Sequence, residues 1–104
     1  MEKQAPLTEA LFYILLAVKK PNHGYGIIQY IEEITDHRLI LGPGTLYGAL
    51  QALVKKNWIE IYHEDTGSRK KKQYIITDAG KKAFEEERLR LEELLKNAKL
   101  MDSD

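Results

Sequence analysis

The sequence has 104 residues, 43% apolar and 31% charged, which fits one soluble domain with a modest core. It contains no cysteine, and that excludes disulfides, thiol nucleophiles and cysteine-based zinc sites. Basic and acidic residues, 16 of each, cancel to zero net charge, so bulk charge does not advertise a nucleic-acid partner.

The opening Met1-Glu2-Lys3-Gln4-Ala5-Pro6 lacks the basic-then-apolar pattern of a secretory signal, and no apolar run is long enough for a bilayer. A cytoplasmic location with no membrane partner is expected. Residues 7–20 read as a first helix, with Leu7, Leu11, Ile14 and Val18 on one stripe. Phe12, Leu15 and Leu16 lie off that stripe and make the helix apolar nearly all round. Such a helix needs cover on two sides, and a second subunit is the expected second cover.

Pro21 ends this helix, and Asn22 or His23 can cap the next. Residues 24–36 read as a second helix that turns Ile27, Ile28, Ile31 and Ile34 inward. Gly24 and Gly26 weaken it intrinsically and leave room for close packing by another element. Arg38-Leu39-Ile40-Leu41 reads as a short strand. Pro43 suits the first position of a third helix, running to about Lys56, with Leu46, Leu50, Leu53 and Val54 inward.

Trp58 to His63 alternates and is rich in β-formers, Glu64 to Ser68 has turn chemistry, and Gln73 to Thr77 reads as a return strand that Lys70–Lys72 can extend. Trp58 reads as core rather than as a ligand platform. Thr77 then caps a last helix, with Asp78 in its first turn, running to about Leu100. Its stripe Phe84, Leu91, Leu94, Leu95, Ala98 and Met101 recurs near heptad spacing and has no later segment to cover it.

The order helix, helix, helix, strand, basic turn, strand, helix defines the expected fold class. It is mainly α with a small β-hairpin: a winged helix-turn-helix with a C-terminal dimerisation helix. Residues 1–77 form the DNA-binding part and 78–104 the dimerisation helix and tail. Such a fold offers one helix to the major groove and a hairpin to the adjacent phosphates. On the third helix, the face opposite the leucines carries Gly44, Thr45, Gly48, Gln51, Ala52 and Lys55, with Tyr47 on its flank. Thr45 and Gln51 can read base edges, Lys55 can meet a phosphate, and Tyr47 can meet a phosphate or a thymine methyl. Gly48 keeps that face smooth. An ordinary solvated helix face would carry the same residue types. The cations sit instead in Ser68-Arg69-Lys70-Lys71-Lys72: residues 65–84 carry a balance of +4, and residues 85–104 one of −3. Phosphate affinity is therefore expected from the wing, with steep salt dependence.

His23-Gly24-Tyr25, Pro43-Gly44-Thr45-Leu46-Tyr47 with Leu50 and Leu53, Ser68-Arg69-Lys70-Lys71, and Tyr74-x-Ile76-Thr77-x-x-Gly80 occur in one order. In that order they resemble the PadR family of bacterial transcriptional regulators, over about residues 7–101. The resemblance implies a repressor that binds a roughly palindromic operator on duplex DNA as a homodimer and is released by a small molecule. The length resembles the family's short branch, with a single C-terminal helix. The family's DNA-facing positions fall on Thr45, Tyr47, Gln51 and Ser68 to Lys71. Two departures stand out: Gly48 where many members have proline, and Asn57 where many have glycine, which asparagine can replace at a left-handed cap. The dimer interface is expected at Leu11, Leu15, Phe84, Leu91, Leu94, Leu95, Ala98 and Met101. A small apolar or aromatic effector is expected near it, against Phe12, Tyr13, Leu91 and Leu95.

His23, His37 and His63 are not at metal-ligand spacing, Gly42-x-Gly44 lacks the lysine of a phosphate loop, and no serine sits in a nucleophile elbow. No metal, cofactor or enzyme activity is expected. Two other classes stay open: a winged-helix protein-interaction module, and a ligand-binding dimer without DNA binding.

Overall fold

The computed structural model describes residues 4–64 and 72–103, without the side chain of Glu64. Its elements run α1 (Glu9–Ala17), β1 (Asn22–His23), α2 (Gly24–Ile34), α3 (Pro43–Lys55), β2 (Ile59–Glu64), β3 (Lys72–Ile76) and α4 (Asp78–Ala98), followed by a 3-10 turn over Lys99–Asp102. The three strands form an antiparallel sheet in the order β1-β3-β2. No helix among the described residues is long and apolar enough to cross a membrane.

Local chemistry sets where each helix starts and stops. Thr8 caps α1 by accepting from the Leu11 N–H at 3.1 Å, and His23 Nδ1 caps α2 by accepting from the Gly26 N–H at 3.1 Å. Helix α3 begins after Gly42 with Pro43 in its first turn. It ends in a Schellman turn: the Trp58 N–H bonds the Leu53 carbonyl at 3.0 Å and the Asn57 N–H bonds the Val54 carbonyl at 2.9 Å. Asn57 takes the left-handed position at φ 64°, the geometry for which glycine is usual. Helix α2 closes in the same way through Asp36 and His37, both left-handed, with the His37 N–H on the Glu32 carbonyl at 2.8 Å.

One core joins Ile14, Leu15 and Val18 of the first helical segment to Ile27 and Ile31 of α2, Leu46, Leu50 and Leu53 of α3, and Ile59, Tyr74 and Ile76 of the sheet. The N-terminal segment also packs on α4. Gln4 donates to the Ala83 carbonyl at 3.1 Å, and Phe12 stacks on Phe84 with ring centroids 4.5 Å apart.

Several expectations are corrected. Residues 38–41 form no strand. The edge of β3 they would need is taken by Asn22–His23, which pair with Tyr74 and Gln73. Leu41 is buried there instead, and Arg38 reaches back to Glu9 with a two-pronged ion pair at 2.6 and 3.2 Å. The apolar circumference of α1 is covered largely by α2 and α4 of the same chain. Leu15 is fully buried in that core and presents no surface to a partner, so it leaves the expected interface. Ile34 and Val54, expected inward, are partly exposed at the last turns of their helices.

Candidate nucleic-acid interface

Helix α3 sorts its side chains cleanly. Leu46, Leu50 and Leu53 are buried, and Thr45, Gly48, Gln51, Ala52 and Lys55 are exposed at spacings of three and four residues, on the opposite face. A β-carbon at Gly44 or Gly48 would meet nothing within 4 Å, so both glycines leave open surface rather than relieve a clash. No carboxylate occurs between Pro43 and Lys56, so the helix carries nothing that repels a polyanion.

Tyr47 is half exposed on the flank of that face, and its ring end rests against Gly24 at the start of α2. Its phenol therefore has two neighbours to serve, the solvent face and the helix–helix contact. Gly24 is where the expected close packing occurs. Gly26 is likewise crowded, by the side-chain oxygen of Asn22.

The hairpin is held at its base. The Thr77 N–H bonds the Trp58 carbonyl at 2.9 Å, Thr77 Oγ1 donates to the Asn57 carbonyl at 2.7 Å, and the same oxygen accepts from the Gly80 N–H at 3.0 Å. One threonine thus ties the end of α3, the start of β2 and the cap of α4. Beside it, Lys56 Nζ lies 4.7 Å from the centre of the Trp58 ring. A register shift between Ile61 and His63 marks a β-bulge in β2. The expected wing residues Ser68, Arg69, Lys70 and Lys71 lie outside the described residues.

Between α3 and the hairpin base runs a cleft of about 270 Å³, whose lining joins Gln51 and Lys55 to Val54, Ile61, Lys72 and Tyr74. Sequence reasoning put Val54 inward with the leucine stripe and gave Ile61 no role beyond the strand, so neither was found as a surface residue of this cleft.

The expected effector walls divide. Phe12, Tyr13 and Leu91 line one cleft of about 280 Å³ with Glu87 and Arg90, whereas Leu95 lines another with Ala98 and Lys99. Glu87 is buried, and both its oxygens accept from Arg90, at 2.9 and 2.6 Å. Those bonds hold the Glu87 carboxyl below its ordinary pKa against the opposing effect of burial. Of the expected interface residues, Leu11, Phe84 and Leu91 are half-buried, while Leu94, Leu95, Ala98 and Met101 are exposed.

A family model described as the transcriptional regulator PadR-like family matches residues 13–86. The Escherichia coli (strain K12) transcriptional regulator YqjI is 35% identical over 71 residues, 68% of this chain and 33% of that protein. The curated relatives matched are longer: the aligned stretch spans 18%, 62% and 33% of three of them. A PadR-like transcription factor from Bacteroides fragilis has a similar fold, with a TM-score of 0.73 at 28% identity over 88% of this chain and 87% of that one. Bacillus subtilis PadR, solved in complex with operator DNA, superposes with a TM-score of 0.63 at 24% identity over 74% of this chain and 45% of that one, a likeness of fold. With the family model matching well over half of its length, the chain belongs to the PadR-like family of transcriptional regulators.

Proposed function

We propose that this regulator binds duplex DNA in a sequence-specific manner, as a homodimer on a roughly palindromic operator, and represses until a small apolar or aromatic effector releases it. The observation that carries the reading is the exposed face of α3, where Thr45, Gly48, Gln51 and Lys55 lie opposite a buried leucine stripe, in a chain whose sequence carries four consecutive cations at Arg69-Lys70-Lys71-Lys72. The similar fold of Bacillus subtilis PadR, solved with operator DNA, supports it.

In this reading Thr45 and Gln51 read base edges, Tyr47 and Lys55 contact backbone, and Ser68 to Lys71 neutralise phosphates. Residues 1–77 do the binding and 78–104 the dimerising. The exposed Leu94, Leu95, Ala98 and Met101 supply the apolar stripe, with Leu91, Phe84 and Leu11 at its margin. The cleft at Phe12, Tyr13 and Leu91 suits a small effector, with Leu95 brought to it only by a partner helix. Such an effector acts by favouring a dimer whose two α3 helices no longer match the duplex repeat. A regulator of this kind works in the cytoplasm.

Selection from a random duplex pool tests the reading. Retained fragments should converge on an inverted repeat with half-sites about one turn, roughly 34 Å, apart. A retained pool as random as the input would count against it.

A further inference from the structure

We propose that the cleft bounded by the end of α1, the end of β3 and the first two turns of α4 binds a free single-chain amphiphile with an anionic head, of the alkyl carboxylate class. The cleft measures about 400 Å³, within the usual span of small-ligand sites, roughly 300–1,000 Å³. Leu15, Leu16, Ile76 and Phe84 give it an apolar lining, and the exposed Lys19, Lys81 and Glu85 stand at its rim. It shares no residue with the cleft at Phe12, Tyr13 and Leu91, so the proposal stands apart from the DNA and effector readings above.

Three features identify the occupant. First, the lining inside the rim is three branched aliphatic side chains and one ring, with no hydroxyl, amide or imidazole among the described residues to orient a polar body. A hydrocarbon body suits it. Second, the rim charges are unequal. Both oxygens of Glu85 accept from Arg88, at 2.6 and 2.5 Å, whereas among the described residues neither Lys19 nor Lys81 is in an ion pair. The charge left to serve a ligand is therefore positive. Third, the two lysines stand at one end. The Ile76 N–H bonds the Val18 carbonyl at 2.9 Å, Lys19 follows Val18, and Lys81 lies in the first turn of α4, which starts just after Thr77. One anionic head against both ammonium groups, with a hydrocarbon tail along Leu16 and Phe84, matches this layout. A second copy fits less well. The exposed Leu94 lies well beyond Glu85, about 13 Å along the helix axis, so two such stripes that pair leave the cleft open.

Isothermal titration of the full chain with decanoate and, in parallel, with decyltrimethylammonium tests this. Decanoate is expected to bind saturably, one per chain, and the alkylammonium at least about ten-fold more weakly. Lys19→Glu and Lys81→Glu change exposed side chains outside the core, and urea melts verify that both fold. Each should weaken decanoate binding about ten-fold, while Lys81→Arg, which keeps the charge, should bind it like the wild type. No saturable binding, equal binding of the two amphiphiles, or decanoate affinity unchanged by both reversals overturns the proposal. Conversion of a wild-type dimer to monomers by the reversals, read by light scattering, also overturns it and gives the cleft to a second copy. Capture by phosphatidylglycerol vesicles without binding of free decanoate overturns it too and gives the cleft to a bilayer surface.

Discussion

Tyr47 of α3 lies so close to Gly24 of α2 that a β-carbon on residue 24 would overlap the phenol group. The missing side chain therefore sets how near the two helices of the helix-turn-helix approach, and it fixes the tyrosine at the edge of the exposed face. Tyr47 is 49% exposed, so its ring can swing into solvent when displaced. Gly24→Ala should thus change folding stability by no more than about 1 kcal/mol while weakening operator binding several-fold. Tyr47→Ala should weaken it by a similar factor, and the double variant should be little worse than either single one. A double-mutant cycle measures the coupling, expected at about 1 kcal/mol. Strict additivity would mean that the contact does not position the tyrosine for DNA.

Gly80 is the opposite case. A β-carbon there would run into the backbone carbonyl of Trp58, which is itself bonded to the Thr77 N–H and cannot step aside. Gly80→Ala should cost about 3 kcal/mol in urea unfolding. Thr77→Ala, which removes both the α4 cap and the bond to the Asn57 carbonyl, should cost about 1–2 kcal/mol, and Thr77→Ser should recover most of it. A Gly80→Ala protein as stable as the wild type would mean that the hairpin base is looser than these contacts imply.

These two glycines also mark what the sequence could and could not reveal. The four helices were legible because leucine and isoleucine spacing, Pro43 and the caps at His23 and Thr77 all agree on period and boundary. Strand β1 was illegible: two residues, Asn22 and His23, carry no alternation, and pairing with β3 alone makes them a strand. Arg38 to Leu41 had the composition of a strand but found that edge occupied. The left-handed turn at Asp36 and His37 had no glycine to announce it. Within the candidate site, the exposed face of α3 followed from its wheel. The cleft beside it did not, because burial of Val54 and Ile61 depends on how far the hairpin stands from the helix. The burial of Leu15 within its own chain is not legible either, because no one-helix pattern shows which neighbour covers it.

Acid should loosen the attachment of the N-terminal segment to α4. Glu87 is buried and bonded twice by Arg90, and its folded pKa lies below its ordinary value, chiefly through Arg90 and with the Leu7 backbone acting in the same direction. A carboxylate with a depressed folded pKa adds stability above its unfolded pKa, and loses it as pH falls through the folded value. Glu9 beside Arg38 and Glu85 beside Arg88 are depressed too, and they act in the same direction more weakly because they are exposed. The urea midpoint should therefore fall as pH drops below about 4.5, the ordinary glutamate value. Glu87→Gln should be less stable at neutral pH and show a shallower acid fall, though not a flat one. Parallel curves for the two proteins would remove Glu87 from the acid transition.

Leu94→Asp puts a charge into the exposed stripe of α4, outside the monomer core. It should leave the fold intact by circular dichroism and yield monomers by light scattering. A persistent dimer would place the interface elsewhere.

Base reading and phosphate contact should separate by mutation. Gln51→Ala should alter preference among duplexes, because an amide that pairs with base edges is lost, whereas a uniform loss would show that Gln51 does not read bases. The central claim, that this surface binds duplex DNA through cations on the wing, is tested most directly by the salt dependence of binding. Affinity for a random duplex, measured between about 50 and 200 mM salt, should fall linearly on logarithmic axes, with a slope of about −0.9 for each phosphate neutralised. Replacing Arg69, Lys70 and Lys71 together by alanine should flatten that slope by about 2–3 and weaken binding to every sequence. A slope unchanged by the triple replacement, or no duplex binding at low salt, would contradict the account.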